Sequence, residues 1–528
     1  MSINRKTRTV AALGSGTAAL AMLTGLAAGA RADELQLNQQ LLNTRIDQLA
    51  AVGQNAGPAG GAILSADQNP VAGAPVTAGS FPRSILIPGT DTSLRVYGQI
   101  TQILDYYLTG GNPNQSPQST TVGITGQLES IPLPNTIARA RSNGIFQQSP
   151  RESRIGFETR TPTPFGEART VMEWDWAGST TFAPGGAGAL GTTDSLVPRL
   201  RYGYGTLGGF LAGQATSNFS DSDANAETLD FGGNAGEPGK GRQPQIRYTM
   251  PAYWGTSLSF SAETPETQIA TGNGLEFSDA GVVPTATTTC TVTTIGVATT
   301  CTTSLLTSGV TPLNPAKASA PDFTAAWYWP QQWGHLDFSA LLRPGLDMTD
   351  GKYFSKQFVG YGGHFGMDIK PGWFGWVKDD FILHFVGGEG IGTYLNASTN
   401  FSLATNYGAP GMYGSFGGPT TAAAAAQIRA TTTQELGAEI GYQHWWLDNL
   451  RSNISGGWES HNGVPIKLVG AAQAASLNKE FFTGHANVIW NPVSFVDVGI
   501  EYFWGQRTVL NNQTATVNTL ISAFKFRF

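Results

Sequence analysis

From Leu94 to its last residue the chain alternates apolar and polar side chains with a period of two, and the connections between the alternating segments sort by length. A period of two is the signature of β-strands, whose successive side chains point to opposite faces. "LRVYGQITQILDYY" (94–107) sets Leu94, Val96, Ile100, Leu104 and Tyr106 against Arg95, Gln99, Thr101 and Asp105. "ARTVMEWDW" (168–176) and "VDVGIEYFWGQR" (496–507) repeat the pattern. Sixteen such segments can be drawn, near residues 94–107, 153–160, 168–176, 199–206, 209–216, 243–250, 256–263, 321–329, 334–343, 358–370, 380–391, 431–443, 450–459, 480–490, 496–505 and 517–528. Every second connection is short: "TPTPFG", "LG", "PAYWG", "PQQW", "PGWFGWV", "WWLDN" and "NPVSF". The others are long and polar, among them 108–152, 217–242, 264–320 and 392–430. Such parity is what an outer-membrane barrel shows, with turns on the periplasmic side and loops outside. A soluble sandwich has no reason to sort its loops this way.

Hydrocarbon forces the architecture. No backbone N–H or C=O can face lipid unpaired, so strands cross only as a closed barrel, each needing roughly 9–11 residues when tilted. Charged residues are 13% of the chain, about half the usual ~25%, yet outside the N-terminus no apolar run reaches the ~18 residues of a membrane helix. The 13 Trp residues fall near strand ends or in short turns, where amphipathic rings meet lipid headgroups. The closing "LISAFKFRF" turns Leu520, Phe524, Phe526 and Phe528 to one face and Lys525 and Arg527 to the other. A greasy end is odd in a soluble domain, where termini fray, but a sixteenth strand must pair with the first to leave no edge. By similarity to outer-membrane proteins generally, Phe528 is expected to be read by the barrel-assembly machinery. The fold class is thus all-β: a transmembrane antiparallel barrel of about sixteen strands with a short N-terminal helical extension.

That extension precedes residue 81. Residues 1–32 read as a secretory signal: Arg5, Lys6 and Arg8, an apolar core, and the small-x-small site "ARA". Residues 33–52 carry a heptad seam, Leu35, Gln39, Leu42, Ile46 and Leu49, the spacing of a coiled-coil helix, although an amphipathic helix of another kind has the same pattern. Residues 53–80 are an Ala/Gly/Pro tether, and 81–528 form the barrel. Without the signal the chain carries 27 basic and 37 acidic residues (31 − 4 and 37 − 0), a net of −10, which argues against nucleic acid as a partner. An oxidising compartment favours a local disulfide between Cys290 and Cys301 over two free thiols.

Enzyme motifs dissolve on inspection. "GYGTLG" (203–208) fits G-x-G-x-x-G, but a strand and a two-residue turn contain it, not a strand entering a helix. There is no HExxH, no paired CxxC and no G-x-S-x-G, and the six histidines have no ligand spacing. No catalytic residue, cofactor or metal is expected. What remains is a charged interior: Arg154, Arg169, Arg199, Arg201, Arg247, Arg451, Arg507 and Lys525, with Glu158, Glu173, Asp175, Glu263, Asp368, Glu439 and Glu501. Charge inside a barrel wall needs water or a partner, so the lumen is expected to be wet. The third long connection (217–242) carries Asp221, Asp223, Glu227 and Asp230. Folded inward, it would face Arg154, Arg199, Arg201 and Arg247 across a constriction and orient dipolar or anionic solutes. Alternatively the arginines simply pair with Glu158, Glu173 and Asp175.

Several stretches carry a resemblance: "GSFPRSILIPGTDTSLRVYG" (79–98), "SRIGFETRTPTPFGEARTVMEWDW" (153–176), "LRYGYGTLGGFLAGQATSNFSD" (200–221), "RQPQIRYT" (242–249) and "NVIWNPVSFVDVGIEYFWGQR" (487–507). Together they resemble the DcaP-like porins. The resemblance implies a homotrimer of sixteen-stranded barrels with a periplasmic coiled coil, embedded in outer-membrane lipid and lipopolysaccharide of a Gram-negative cell. It also implies passive diffusion of small anionic, dicarboxylate-like solutes through an eyelet lined by Arg154, Arg199, Arg201 and Arg247. The Cys290–Cys301 loop and the 392–430 insertion depart from the pattern. A structural barrel tethering the envelope and a barrel enzyme are the alternatives.

Overall fold

The structure is a computed structural model. It describes residues 77–112, 128–129, 131–178, 197–238, 241–271, 276–278, 288–290, 301–303, 314–395, 401–407, 421–461, 463–469, 473–475 and 477–528. The expected signal peptide, coiled-coil helix and most of the tether lie outside the described residues.

Sixteen strands form the barrel wall. They are β1 (Ser93–Thr109), β2 (Arg154–Thr163), β3 (Gly166–Asp175), β4 (Arg199–Leu207), β5 (Phe210–Ala215), β6 (Gln243–Pro251), β7 (Ser257–Glu263) and β8 (Asp322–Gln331). The second half comprises β9 (Gly334–Thr349), β10 (Ser355–Ile369), β11 (Asp380–Glu389), β12 (Gln434–Leu447), β13 (Leu450–Ser460), β14 (Asn478–Val493), β15 (Val496–Val509) and β16 (Thr514–Arg527). Each pairs antiparallel with the next, and β16 returns to β1 through Gln99 opposite Arg527 and Tyr106 opposite Leu520. The ring is closed, so no wall strand presents an open edge to lipid.

The alternation of the sequence maps onto two faces. Val96, Ile100, Ile440, Ile454, Ile500, Phe524 and Phe526 are exposed, whereas Asp105, Glu439, Glu501, Thr519 and Ile521 on the same strands are buried. On β16 the outward set is Leu520, Phe524 and Phe526, with Lys525 turned inward. The terminal Phe528 extends the seam: its N–H donates to the Gly98 carbonyl at 3.1 Å and the Gly98 N–H donates back at 3.3 Å. Its ring lies across Gly98, where a β-carbon would sit 2.6 Å from the ring edge, so only glycine fits there.

The parity of connections is softer than the sequence suggests. Seven short turns mark one end, which is periplasmic in barrels of this kind. At the other end 350–354 and 510–513 are short as well, because β9, β10, β15 and β16 run on beyond the segments drawn from alternation. On β9 the reason is local: a bulge between Arg343 and Leu346 shifts the register and interrupts the period of two.

The described parts of the two longest loops pack together. Segments Gln268–Ala270, Glu276–Ser278, Leu403–Thr405 and Ala430–Thr432 form a separate four-stranded sheet. It buries Ile269, Leu403, Tyr407 and Ile428 against Met348 of β9, and Ala270, Phe401 and Ala404 against Val464, Leu477 and Leu510. The described parts of the 264–320 and 392–430 connections thus share one cap. In a separate two-stranded sheet of the 264–320 connection, Thr288–Cys290 pairs antiparallel with Cys301–Thr303, setting Cys290 opposite Cys301.

Removing Phe528 takes away two seam hydrogen bonds and the ring over Gly98. The expected outcome is a lower yield of folded, heat-modifiable barrel on unheated gels, with unchanged conductance in those channels that do insert. Normal yield would show that the seam closes without it.

Candidate functional site

The connection between β5 and β6 folds into the lumen and is stitched to the wall by wall acids that accept its backbone N–H groups. Glu263 of β7 accepts from Asn218 N (2.8 Å) and Ser217 Oγ (2.7 Å). Glu501 of β15 accepts from the N–H groups of Leu229 (2.7 Å) and Asp230 (3.2 Å), and Glu459 of β13 accepts from Gly236 N (3.2 Å). Glu439 of β12 takes Asn234 Nδ2 at 2.9 Å. A buried carboxylate is tolerated when several donors converge on it, and a glycine-rich loop supplies bare N–H groups at close range. Phe219 packs into Leu341, Val386, Ile391 and Tyr394, so the loop also fills the β9–β11 side with an apolar plug.

The acids singled out on this loop are used differently from one another. Asp221 caps a short 3-10 turn and meets His335 Nε2 of β9 at 2.8 Å. Burial alone would raise its carboxyl, but the hydrogen bond and charge of His335 outweigh that and hold it below the usual aspartate range. The contact therefore contributes at neutral pH and is lost as pH falls through that depressed value. Asp223 lies beside Asp368 and Asp380 in a side pocket. Glu227 is clamped bidentately by Arg451 of β13, Nε at 2.6 Å and Nη2 at 2.5 Å. Asp230 is buried where its own N–H reaches Glu501.

Opposite the loop lies a cavity of about 720 Å³. Its lining brings Arg154, Arg201 and Lys525 of the wall and Arg242 at the loop's close together with Glu152, just before β2, and Glu227, Asp230 and Glu237 of the loop. The two signs are not equally available. Burial and the facing Glu439 push the Glu237 carboxyl well above the carboxylate range, favouring its neutral form, and Glu227 is spent on Arg451. Burial and the neighbouring charge of Arg201 lower Arg242 to about 10, so it stays cationic at neutral pH. Among the described residues, Arg154, Arg242 and Lys525 have no carboxylate partner within salt-bridge distance. Phe231, carried by the loop, lies over two guanidiniums, 5.4 Å from Arg154 and 5.3 Å from Arg201, a geometry in which the ring face attracts cations.

The four expected arginines do not act as one ladder. Arg154, Asp175 and Arg199 stand in one register row across β2, β3 and β4. Arg199 is held by Asp175 at 3.0 and 2.6 Å, and Arg201 by Glu173 (2.8 Å) and Asp175 (2.9 Å). Those two thus take the paired arrangement that was the alternative, while Arg154 remains unpaired. Arg247 sits opposite Leu211 and Ser261, outside the cavity lining. Sequence reasoning did not select Arg242, Glu152 or Phe231. Arg242 was visible as the basic close of an acidic loop, but Phe231 carried no signal, since aromatic residues are common throughout the barrel.

The family model for the DcaP outer membrane protein matches residues 86–253. No curated protein matches the chain significantly. Among solved structures, the outer membrane channel DcaP of Acinetobacter baumannii aligns over 86% of this chain and 100% of its own, at 20% identity and a TM-score of 0.55. The anion-selective porin from Comamonas acidovorans aligns over 83% of this chain at 8% identity and a TM-score of 0.43, too distant to say more. Over residues 86–253 the chain is thus similar to the DcaP outer membrane proteins, its fold is that of a porin barrel, and its place is the outer membrane of a Gram-negative bacterium.

Glu501→Ala would leave the Leu229 and Asp230 N–H groups, Asn487 and His485 without their acceptor. With about 1–3 kcal/mol for each buried group left unsatisfied, the loop should loosen. The expected reading in single-channel recordings is a noisier and larger open-state current; an unchanged trace would mean the remaining clamps suffice.

Proposed function

We propose that this DcaP-like barrel is a passive channel for small hydrophilic anions, dicarboxylates among them, and performs no chemistry. The observation that carries the reading is the 720 Å³ cavity in which Arg154, Arg242 and Lys525 lack carboxylate partners among the described residues, while two of the loop's acids are withdrawn, Glu227 by Arg451 and Glu237 by burial beside Glu439. An anion entering it meets guanidinium and ammonium donors that have nothing to give up. Rings of one sign set selectivity in this way. The cap formed by the 264–320 and 392–430 connections supports the same route, since its apolar packing engages β9 and the ends of β13, β14 and β15 and leaves the arginine-bearing strands β1–β4 out of its core.

The homotrimer belongs to this proposal. Beside Phe157, Met172 and Phe210, the outward face of β2–β5 carries a register row of small and polar groups. Thr159 and Thr170 share a hydroxyl hydrogen bond of 2.6 Å there, and Gly205 and Ala212 continue their row across β4 and β5. Polar and small groups gain nothing from hydrocarbon, and a second copy would let backbones approach closely and satisfy the hydroxyls. The Cys290–Cys301 disulfide is proposed on the pairing that sets these residues opposite one another, and Phe528 as the assembly signal on its place in the seam.

Arg154→Ala is expected to lower the anion-to-cation permeability ratio severalfold, read as the reversal potential in a potassium chloride gradient. A cation-selective or unselective wild-type channel would overturn the anion reading, and a barrel that does not equilibrate an inert sugar in liposome swelling would overturn the channel itself. Thr170→Arg places a charge on the outward face and should convert trimer to monomer by native mass spectrometry; a persisting trimer would put the contact elsewhere.

A further inference from the structure

Below the central cavity lies a second one, about 280 Å³, lined by Arg83, Arg95, Tyr97, Gln99, Arg154 and Arg527 and by Glu173 and Phe528, Glu173 being held by Arg201. It shares Gln99 and Arg154 with the larger cavity. The register explains the sharing. Arg527, Gln99, Arg154, Asp175 and Arg199 form one continuous row across β16, β1, β2, β3 and β4. Arg527 ends β16 at the short-turn end, whereas Arg154 and Arg199 open β2 and β4 at the ends far from their turns. Strands in a barrel tilt by roughly 35–45°, so a row perpendicular to them winds down the lumen from the central cavity toward the periplasm.

The lower cavity is built from a segment that precedes β1. Gly79 N donates to Ser84 O (2.9 Å), Ser80 N to Ser93 Oγ (2.8 Å) and Ser84 N to Phe81 O (3.2 Å), folding residues 79–84 against the start of β1. Phe81 packs its ring under Arg160 (4.4 Å) and Arg95 (5.6 Å). The turn holds Arg83 at φ 61°, a left-handed conformation rare for arginine, and presents it to the cavity. Arg95 pairs with Glu158, which Arg160 and Arg169 also share, and Arg527 pairs with Asp497. Arg83 has no carboxylate partner among the described residues. The buried Nε groups of Arg95 and Arg154 likewise have no acceptor.

We propose that this cavity is a second binding step for small oxyanions, carboxylates and phosphates, at the periplasmic end of the channel, with Arg83 supplying its unpaired charge and Arg154 passing the solute down from the first. The proposal rests on the anion-channel reading. Two weak sites in series let a solute be drawn in without being trapped, because arrival at one site lowers the cost of leaving the other. Glu158, shared by three arginines, leaves the surrounding wall with more guanidinium than carboxylate, so the field persists to the exit.

The test uses the purified full chain in planar bilayers, with inorganic phosphate added to both sides as a blocker of chloride current. Asn tolerates the left-handed backbone that Arg83 adopts, so Arg83→Asn removes the charge without disturbing the turn; Arg83→Glu reverses it. The phosphate concentration for half-block is expected to rise about threefold in Arg83→Asn, as for one exposed charge contact, and further in Arg83→Glu. Equal half-block in wild type and both variants, in a channel that prefers chloride over potassium, would overturn the second site and leave the anion reading standing. A wild-type channel with no chloride preference would overturn both.

Discussion

The hydrogen-bonded seam between β1 and β16 is the contact on which everything else depends. In hydrocarbon an unpaired backbone group costs several kcal/mol, so the wall is stable only as a complete ring. Closure fixes the register of Gln99 against Arg527 and of Tyr106 against Leu520. That register sets which side chains share a row and so where each charge stands in the lumen. The greasy terminal strand, the glycine at 98 and the outward Ile and Phe residues are local consequences of the same requirement.

Inside the ring the constraint changes sign. The wall buries Glu263, Glu439, Glu459 and Glu501 almost completely, and each needs donors. The loop between β5 and β6 provides them from its own backbone, chiefly at Asn218, Leu229, Asp230 and Gly236. Acids that would otherwise seek arginines are thereby satisfied by amides. Arg154 and Lys525 on the wall and Arg242 at the loop's close are left without a carboxylate partner among the described residues. Fixing the loop and freeing Arg154 and Arg242 are two results of one arrangement.

The barrel was legible in the sequence because its determinants are local: a period of two within each strand and a turn signal between strands. Where a local irregularity intervened, as at the bulge after Arg343, the strand end was misread. The inward side of each strand was legible for the same reason, and Arg154, Arg199, Arg201, Arg247, Arg451 and Lys525 are inward-facing. Pairing was not legible. Glu227 and Arg451 are far apart in the chain and meet only because the loop crosses the lumen, and nothing local tells that Asp221 turns to His335 and not to an arginine. The folding together of the two longest connections into one small sheet has the same non-local origin.

Strand tilt gives the arginines a significance that a flat ring would not. In an untilted cylinder a register row would be a horizontal belt, and charges in it would form one barrier or one well. In a tilted barrel the row is a helical ramp, so residues on successive strands stand at successive depths. Arg527 at the turn end and Arg154 at mid-wall are neighbours through Gln99 in register, yet they border different cavities. On the proposed route, the filling of the opposite sector by Phe219, Ile391 and Tyr394 would keep a solute against this ramp. A chain that repeats arginine along one row therefore builds a descending path from the same rule that closes the barrel, with no element devoted to transport alone.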